Sequence, residues 1–273
     1  MRKLAIAVAV LVSAGPVTTV AQAATGILAT HRAVYDLSLK SATERSGISG
    51  MAGRMVYEFN GSACDGYTVS FRFVTQVITG NESRVTDQQT TTFEDVRDRT
   101  FRFVTRSYVD ETLDRETRGS ARGQDQDGEL AITLEQPEKT TLSIPDARLP
   151  TEHLLEMIER AKAGERFYES RLYDGSDGGD KAMITTSILG ARQAPEAGDE
   201  EAAVAGDLAD KRFWPVSMSY FEESAEGDGL PVYSISFKLY DNGVTRDLTM
   251  DYGDFVLEGE LAALEMFEPE PCE

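Results

Sequence analysis

One stretch of this chain has the periodicity of a helix, and most of the remainder alternates with the period of a strand. From Pro150 to Gly164, one face carries apolar residues at helical spacing: Leu154, Met157, Ile158 and Ala161. Gly164 stands where such a helix should end. A lone amphipathic helix among strands must bury its apolar face on a sheet, and a curved sheet would wrap it. The sequence therefore predicts an all-β protein with one helix.

Alternation of apolar and polar residues predicts about 12 to 14 strands. The pattern is clearest at residues 33–39, 67–73, 233–239 and 244–252. Asp241-Asn242-Gly243 favours a tight hairpin between the last two strands, because Asn-Gly accepts the positive φ angles of such turns. A flat sheet of this size with an exposed apolar face would aggregate, so it must close, fold over or hold a guest.

Three segments depart from this pattern. The threonine-rich run from Val85 to Glu94 is polar on both faces, which indicates an edge strand or a strand open to solvent. The charged, glycine-containing run from Thr112 to Gly128 indicates a loop or a long hairpin tip. Gln193 to Lys211 has little to bury, and we expect a disordered or weakly helical insertion there.

The first 23 residues have the pattern of a secretory signal peptide. They contain a basic start, a short apolar core and a small-x-small cleavage site: Arg2 with Lys3, Leu4 to Val12, and Ala21-Gln22-Ala23. The mature protein is expected to begin at Ala24 and to form one domain over residues 24–273. This apolar core is too short to span a bilayer, and no later apolar run approaches the roughly 20 residues needed.

The chain is strongly acidic, with a formal net charge of −20. Removal of Arg2 and Lys3 with the signal peptide leaves a still more acidic mature protein. Such a surface repels phosphate backbones and anionic lipid headgroups, which disfavours nucleic acid and a peripheral membrane site as partners. It favours solubility and contact with basic partners or divalent cations.

The two cysteines, Cys64 and Cys272, lie near the two ends of the mature chain. An even count in an exported protein indicates one disulfide, and the alternative is two buried free thiols. A bond between them would close a loop of about 209 residues and stabilise the fold by up to ~5 kcal/mol in the chain-entropy model.

The sequence offers little for catalysis and predicts no cofactor. His31 and His153 are the two imidazoles, and no G-x-S-x-G motif accompanies them, so structural histidines are favoured over an envelope hydrolase that pairs either with a carboxylate. Two distant cysteines and two histidines also form no metal-ligand cluster. The acidic run from Asp174 to Asp180 fits either a calcium loop of incomplete pattern or a glycine–aspartate hairpin turn.

The predicted helix raises a packing question. One helix covers few of so many strands, so incomplete filling would leave a lipid-sized groove, whereas complete filling would leave an ordinary core. Leu154, Met157 and Ile158 are the residues at which an apolar guest would compete with the helix. The sequence leaves both alternatives open.

Short motifs along nearly the whole mature chain occur in a specific order. They are His31 to Leu37, Gly53 to Phe59, Gly61 to Cys64, Leu149 to His153, Gly175 to Asp177, Trp214 to Val216, Ser219 to Phe221, Leu239 to Val244 and Asp251 to Phe255. Together with the two cysteine positions, they resemble the EipB family of alphaproteobacterial periplasmic cell-envelope integrity proteins. The acidic insertion matches nothing in that family.

This resemblance implies a β-spiral, an open curled antiparallel sheet around a central helix, similar to the carriers that shuttle lipoproteins to the outer membrane. It also implies a disulfide between Cys64 and Cys272, a periplasmic location and a non-enzymatic role in envelope integrity under stress. A periplasmic tetratricopeptide-repeat protein is the implied partner. Carriage of a lipid or lipoprotein is a hypothesis by analogy of fold, and a purely structural β scaffold is its alternative.

Overall fold

A computed structural model describes residues 28–124, 128–223 and 229–268. The predicted signal peptide and Cys272 lie outside these ranges.

The described chain contains fifteen strands and one α-helix. The first eight strands are β1 (His31–Ala42), β2 (Ile48–Ser62), β3 (Gly66–Thr79), β4 (Glu82–Asp95), β5 (Thr100–Val109), β6 (Thr112–Gly123), β7 (Leu130–Gln136) and β8 (Thr140–Ile144). The helix α1 (Pro150–Ala163) follows the short strand β9 (Ala147–Arg148). The remaining strands are β10 (Phe167–Leu172), β11 (Met183–Leu189), β12 (Trp214–Phe221), β13 (Tyr233–Leu239), β14 (Thr245–Asp251) and β15 (Phe255–Met266). Short 3-10 helices occur at Glu44–Ser46 and Gly206–Leu208.

All fifteen strands belong to one sheet, whose order runs from β8 down to β1 and then from β15 down to β9. Neighbouring strands are antiparallel except β9 and β10, which are parallel. The first and last strands pair with each other, with His31 opposite Met266 and Tyr35 opposite Leu261. The two edge strands, β8 and β9, are consecutive in the chain, so the sheet must curl until its edges approach. The fold is a nearly closed, barrel-like curled sheet, as the sequence predicts.

The helix α1 fills one end of this curled sheet. Met157 and Ile158 are buried against inward-facing residues of both halves of the sheet, including Phe59, Trp214 and Leu239. The helix ends where Gly164 adopts a φ of 83°, a left-handed angle that glycine accepts without a steric penalty. The periodicity of this stretch therefore predicted both the helix and its buried face.

A loop between β10 and β11 brings the two edges of the sheet together. The ring of Tyr173 packs edge-on against Phe101 and Phe103 of β5, with centroids 6.3 and 6.0 Å apart. Gly175 follows with a φ of 74°, and a Cβ there would lie 2.6 Å from the Phe103 ring. Glycine is required because the backbone passes directly over this ring. Gly175 and Gly179 of the Asp174 to Asp180 run thus allow close packing against Phe103 of the other half of the sheet.

The described sheet has 15 strands, against the 12 to 14 expected from the alternation of the sequence. The two strands that were not predicted are β6 and β9. The segment from Thr112 to Gly128, expected as a loop or hairpin tip, supplies β6. Its inward positions include Thr117, Gly119 and Ala121, which give no apolar alternation. Small residues are needed because a Cβ at Gly119 would lie 2.9 Å from the Phe103 ring. The other missed strand, β9, has only two residues.

The segment 193–211, expected to be disordered or weakly helical, contains the 3-10 helix Gly206–Leu208 and packs on the sheet, and we call it the acidic strap. Its Asp199 receives two hydrogen bonds from Arg246 of β14, at 2.8 and 2.6 Å, and Glu201 receives a third at 3.1 Å. Arg246 is fully buried, and Ala205 and Leu208 of the strap join the apolar core. Composition did not indicate this packing, because two of the acidic side chains neutralise a buried guanidinium and do not face solvent.

Replacing Arg246 with methionine should lower the free energy of unfolding by about 3–5 kcal/mol, because buried Glu201 would lose its cationic partner and Asp199 would keep only its 3.3 Å contact with Lys238. Urea denaturation measures the change. A matched control is Arg54→Ala, whose ion pair with Asp36 is more than half exposed and should contribute about 0–1 kcal/mol. Equal effects from the two substitutions would contradict this role of the strap.

The strand order also places the end of the described chain near Cys64. Phe267 donates its backbone N–H to Thr30, beside the start of β1, and His31 pairs with Phe59 near the end of β2. Cys64 lies in the turn between β2 and β3. The last described residues therefore lie at the end of the sheet that carries Cys64, and the pairing with Cys272 stays a prediction.

We expect a reducing agent to lower the melting temperature. The disulfide would limit the conformations of the unfolded chain and so raise the free energy of unfolding by about 2–5 kcal/mol. Cys64→Ser should show the same loss, and reducing agent should then have no further effect. Calorimetry with and without reducing agent measures both. A Cys64→Ser variant as stable as the parent would count against the disulfide.

Candidate functional site

The interior of the sheet contains two adjoining chambers. One, of about 740 Å³, is lined mainly by apolar residues of β2, β3 and β12–β15, and we call it the apolar chamber. The other, of about 430 Å³, is lined mainly by polar residues of β4–β6, and we call it the polar chamber. They share lining residues on both sides: Phe71, Gln88, Ser107, Asp174, Ser176 and Asp177. The two chambers therefore adjoin along these six residues, with apolar walls on one side and polar walls on the other.

The apolar chamber is walled by aromatic and aliphatic side chains. Phe71 and Phe73 of β3 stack with centroids 6.2 Å apart, and both stay only half-buried although they face inward. Across the chamber, the ring of Tyr233 lies 5.4 Å from that of Tyr220 and 4.8 Å from that of Tyr252. Burial raises the pKa of Tyr220 and of Tyr233, so both phenols are neutral at physiological pH. The wall carries no charge at these rings.

The polar chamber explains the threonine-rich run. This run belongs to β4, which pairs along its length with β3 and β5, so it is a central strand and the edge interpretation was wrong. Its alternate residues Gln88, Thr90 and Thr92 line the chamber. The hydroxyl oxygens of Thr90 and Thr105 are 3.0 Å apart across β4 and β5. Polarity on the inner face thus reflects a polar interior.

Exposed apolar residues surround the strand ends at the apolar chamber. Val232 and Tyr252 line that chamber and are 45% and 36% exposed. On the other half of the sheet, Ile78, Val85 and Leu113 are also exposed near the β3–β4 and β5–β6 hairpins, but they do not line the chamber. Val232 and Tyr252 therefore give the opening an apolar border on the β13–β15 side.

The predicted helix residues lie together but outside the two chambers. Met157 and Ile158 are buried in the core that joins α1 to the sheet. Leu154 is half-buried and borders a space of only about 10 Å³. Within the described chain, Pro150 is the residue of α1 that reaches the polar chamber.

Both histidines are buried and hydrogen-bonded to uncharged groups. His31 Nδ1 lies 2.8 Å from the carbonyl oxygen of Ala29, and His153 Nε2 lies 3.3 Å from the hydroxyl of Thr185. Desolvation lowers the pKa of both, that of His153 to about 4, so both rings are neutral at pH 7. Thr185 is fully buried and donates to the carbonyl oxygen of Ser170. These contacts give neither imidazole a carboxylate partner of the kind that orients a catalytic base.

A buried carboxylate holds the start of α1. Glu94 of β4 accepts the backbone N–H of Thr151 at 2.7 Å and that of Glu152 at 3.0 Å. These N–H groups have no partner within the helix, and the helix dipole favours negative charge there. Desolvation nevertheless raises the pKa of Glu94 to about 7, and the nearby charge of Glu152 adds to this. Sequence patterns did not single out Glu94, since it lies 57 residues before its helix.

In the described chain no helix is long and apolar enough to cross a membrane. Over the same residues, no group of three or more His, Cys, Asp and Glu side chains is arranged to hold a metal ion.

The curled sheet, the helix within one end and the interior chambers define a barrel-like β protein with space for a guest. The chain belongs to the EipB-like family, whose sequence pattern matches residues 22–268. It is 49% identical over 242 residues to the cell envelope integrity protein EipB of Brucella abortus (strain 2308), covering 88% of this chain and 85% of that protein. It also resembles the crystal structure of a β-barrel-like protein of the domain of unknown function DUF1849 from Brucella abortus. That similarity has a TM-score of 0.84 and 48% identity, and it covers 88% of this chain and 99% of that chain.

The raised pKa of Glu94 makes stability depend on pH. An unfolded carboxyl ionises near pH 4.5, whereas folded Glu94 stays protonated to about pH 7, so its stabilisation is present below pH 4.5 and is lost as the pH rises to about 7. Relative to Glu94→Gln, the parent should lose on the order of 1–3 kcal/mol of unfolding free energy across this range.

Urea denaturation at several pH values measures this difference. Glu258→Gln is the control for the loss of a carboxylate, because that side chain is half exposed beside Lys40 and far from the start of α1 in the sheet. Parallel pH curves for the parent and Glu94→Gln would show that Glu94 is not the titrating group.

Proposed function

We propose that this chain is a non-enzymatic periplasmic protein that supports cell-envelope integrity by binding an amphiphilic ligand in its interior chambers. The observation that carries the proposal is the apolar chamber of about 740 Å³, whose inward-facing Phe71 and Phe73 remain half-buried. Pockets that bind small molecules typically have volumes of about 300–1,000 Å³ and mostly apolar walls. A lipid chain, or the acyl chain of a lipoprotein, has the chemistry to cover these rings.

The envelope role is supported by the relative from Brucella abortus, which is named a cell envelope integrity protein. The periplasmic location is supported by the signal-peptide pattern of residues 1–23. The non-enzymatic character is supported by the two histidines, which are buried and bonded to uncharged groups. The family resemblance adds a periplasmic tetratricopeptide-repeat protein as a proposed protein partner.

The opposite faces of β3 offer a matched pair of substitutions for testing ligand binding. Phe73 lines the apolar chamber, whereas the neighbouring Val74 points to the other face of the same strand. Phe73→Asp would place a charge beside the acyl chain and should weaken binding at least tenfold, whereas Val74→Asp should leave the affinity unchanged. Ile235→Trp, which fills the chamber without adding charge, should also weaken binding.

Native mass spectrometry and lipid extraction of the purified protein show whether a lipid is bound. Fluorescence of the apolar probe N-phenyl-1-naphthylamine then measures affinity in the parent and the three variants, with melting temperatures as the folding control. Absence of both extracted lipid and probe binding would contradict ligand carriage. Capture of protein partners without lipid in envelope pull-downs would then favour the scaffold alternative.

A further inference from the structure

We infer that the ligand has an uncharged, hydroxyl-rich headgroup, as in a glycosylated lipid, and that this headgroup lies in the polar chamber. This inference rests on the proposed function and specifies the class of ligand. It follows from three features of the chamber: its hydroxyl groups, the sign of its charges and the aromatic rings at its boundary.

Hydroxyl groups from three adjacent strands meet in the polar chamber. Thr90 of β4 lies opposite Thr105 of β5, and Thr105 lies opposite Thr117 of β6. Gln88 and Ser107 form the next pair across β4 and β5, towards the apolar chamber. Hydroxyl and amide groups both donate and accept hydrogen bonds. Such a wall therefore complements a ligand whose surface also carries both donors and acceptors. The hydroxyls of a sugar have this capacity.

The charges that line the chambers oppose an anionic headgroup. Among the described lining residues, the carboxylates that border the polar chamber are Asp174 and Asp177, against a single guanidinium from Arg115. Asp87 also borders the apolar chamber, but its side chain lies on the outer face of β4, where Arg72 donates hydrogen bonds of 3.1 and 2.8 Å to it. Asp174 and Asp177 remain beside the polar chamber, and a phosphate or sulfate there would face like charges. Juxtaposed like charges cost several kcal/mol in a binding site.

Two aromatic rings, those of Tyr57 and Phe71, line the polar chamber, and Phe71 also lines the apolar chamber. Across the sheet, Tyr57 of β2 lies opposite Phe71 of β3, and Phe71 lies opposite Thr90 of β4. One row of inward residues therefore passes from aromatic rings to hydroxyl groups. A sugar ring has apolar C–H groups that pack on an aromatic face and hydroxyls on its edge. A quaternary ammonium group would form ion pairs with the carboxylates, but it would leave the hydroxyls of this row without hydrogen-bond partners from the ligand.

Three probes with the same dodecyl chain separate these headgroups: dodecyl maltoside, dodecyl phosphate and dodecyltrimethylammonium. Each is used below its critical micelle concentration, and its affinity is measured by displacement of N-phenyl-1-naphthylamine and by calorimetry. We expect the maltoside to bind at least tenfold more tightly than either charged probe. Equal affinities, or tightest binding of the phosphate or the ammonium compound, would overturn the inference.

A double variant, Thr90→Val with Thr105→Val, removes the paired hydroxyls with little change in shape. It should reduce maltoside affinity at least fivefold and leave naphthylamine binding unchanged, whereas Thr91→Val, on the outer face of β4, should change neither. An unchanged maltoside affinity in the double variant would also overturn the inference. If naphthylamine binds but headgroups are not distinguished, only this inference fails. If neither naphthylamine nor any dodecyl probe binds, the proposed function fails with it.

Discussion

A curled sheet of fifteen strands encloses more interior than a helix of 14 residues can fill. The structure meets this constraint unevenly along the sheet. At one end, α1 and the acidic strap supply apolar side chains, and buried carboxylates of Glu94 and Asp199 hold helix and strap in place. Towards the other end, the chambers remain open beneath half-buried rings. The interior is therefore filled at one end by elements that two buried carboxyl groups hold in place, and it stays open at the other.

Alternation predicted most of the strands because every second residue meets the same environment, whichever strand lies beside it. It failed at β6, where the inward residue Gly119 has to be small under the Phe103 ring supplied by a neighbouring strand. Composition likewise misjudged the strap, because Asp199 is paired with Arg246, 47 residues further along the chain. In both cases the deciding contact is long-range, and local sequence carries no record of it.

The site could be anticipated only in outline. Many predicted strands and only one predicted helix leave open whether the interior is filled. The answer depends on side-chain and cavity volumes in the folded chain, which the sequence does not give. Leu154, Met157 and Ile158 were the natural candidates, since they form the apolar face of the helix, and their burial at the plugged end leaves the chambers to other residues. The threonine run of β4 was the missed signal. Its period-two polarity would have indicated a polar lining if a central strand had been assumed.

The pairing of β1 with β15 has a consequence for biogenesis. Every other pair of neighbouring strands joins residues that are at most a few tens of positions apart in the chain. The pairing of β1 with β15, in contrast, joins His31 to Met266. A chain synthesised from its N-terminus therefore exposes the free edge of β1 until residues 255–266 have emerged. Unpaired edges are sites of intermolecular pairing, and late long-range closure prolongs that exposure. The seam between the first and last strands of the sheet therefore leaves the newborn chain open to aggregation until β15 has been synthesised, and a holding chaperone would be of use over that interval.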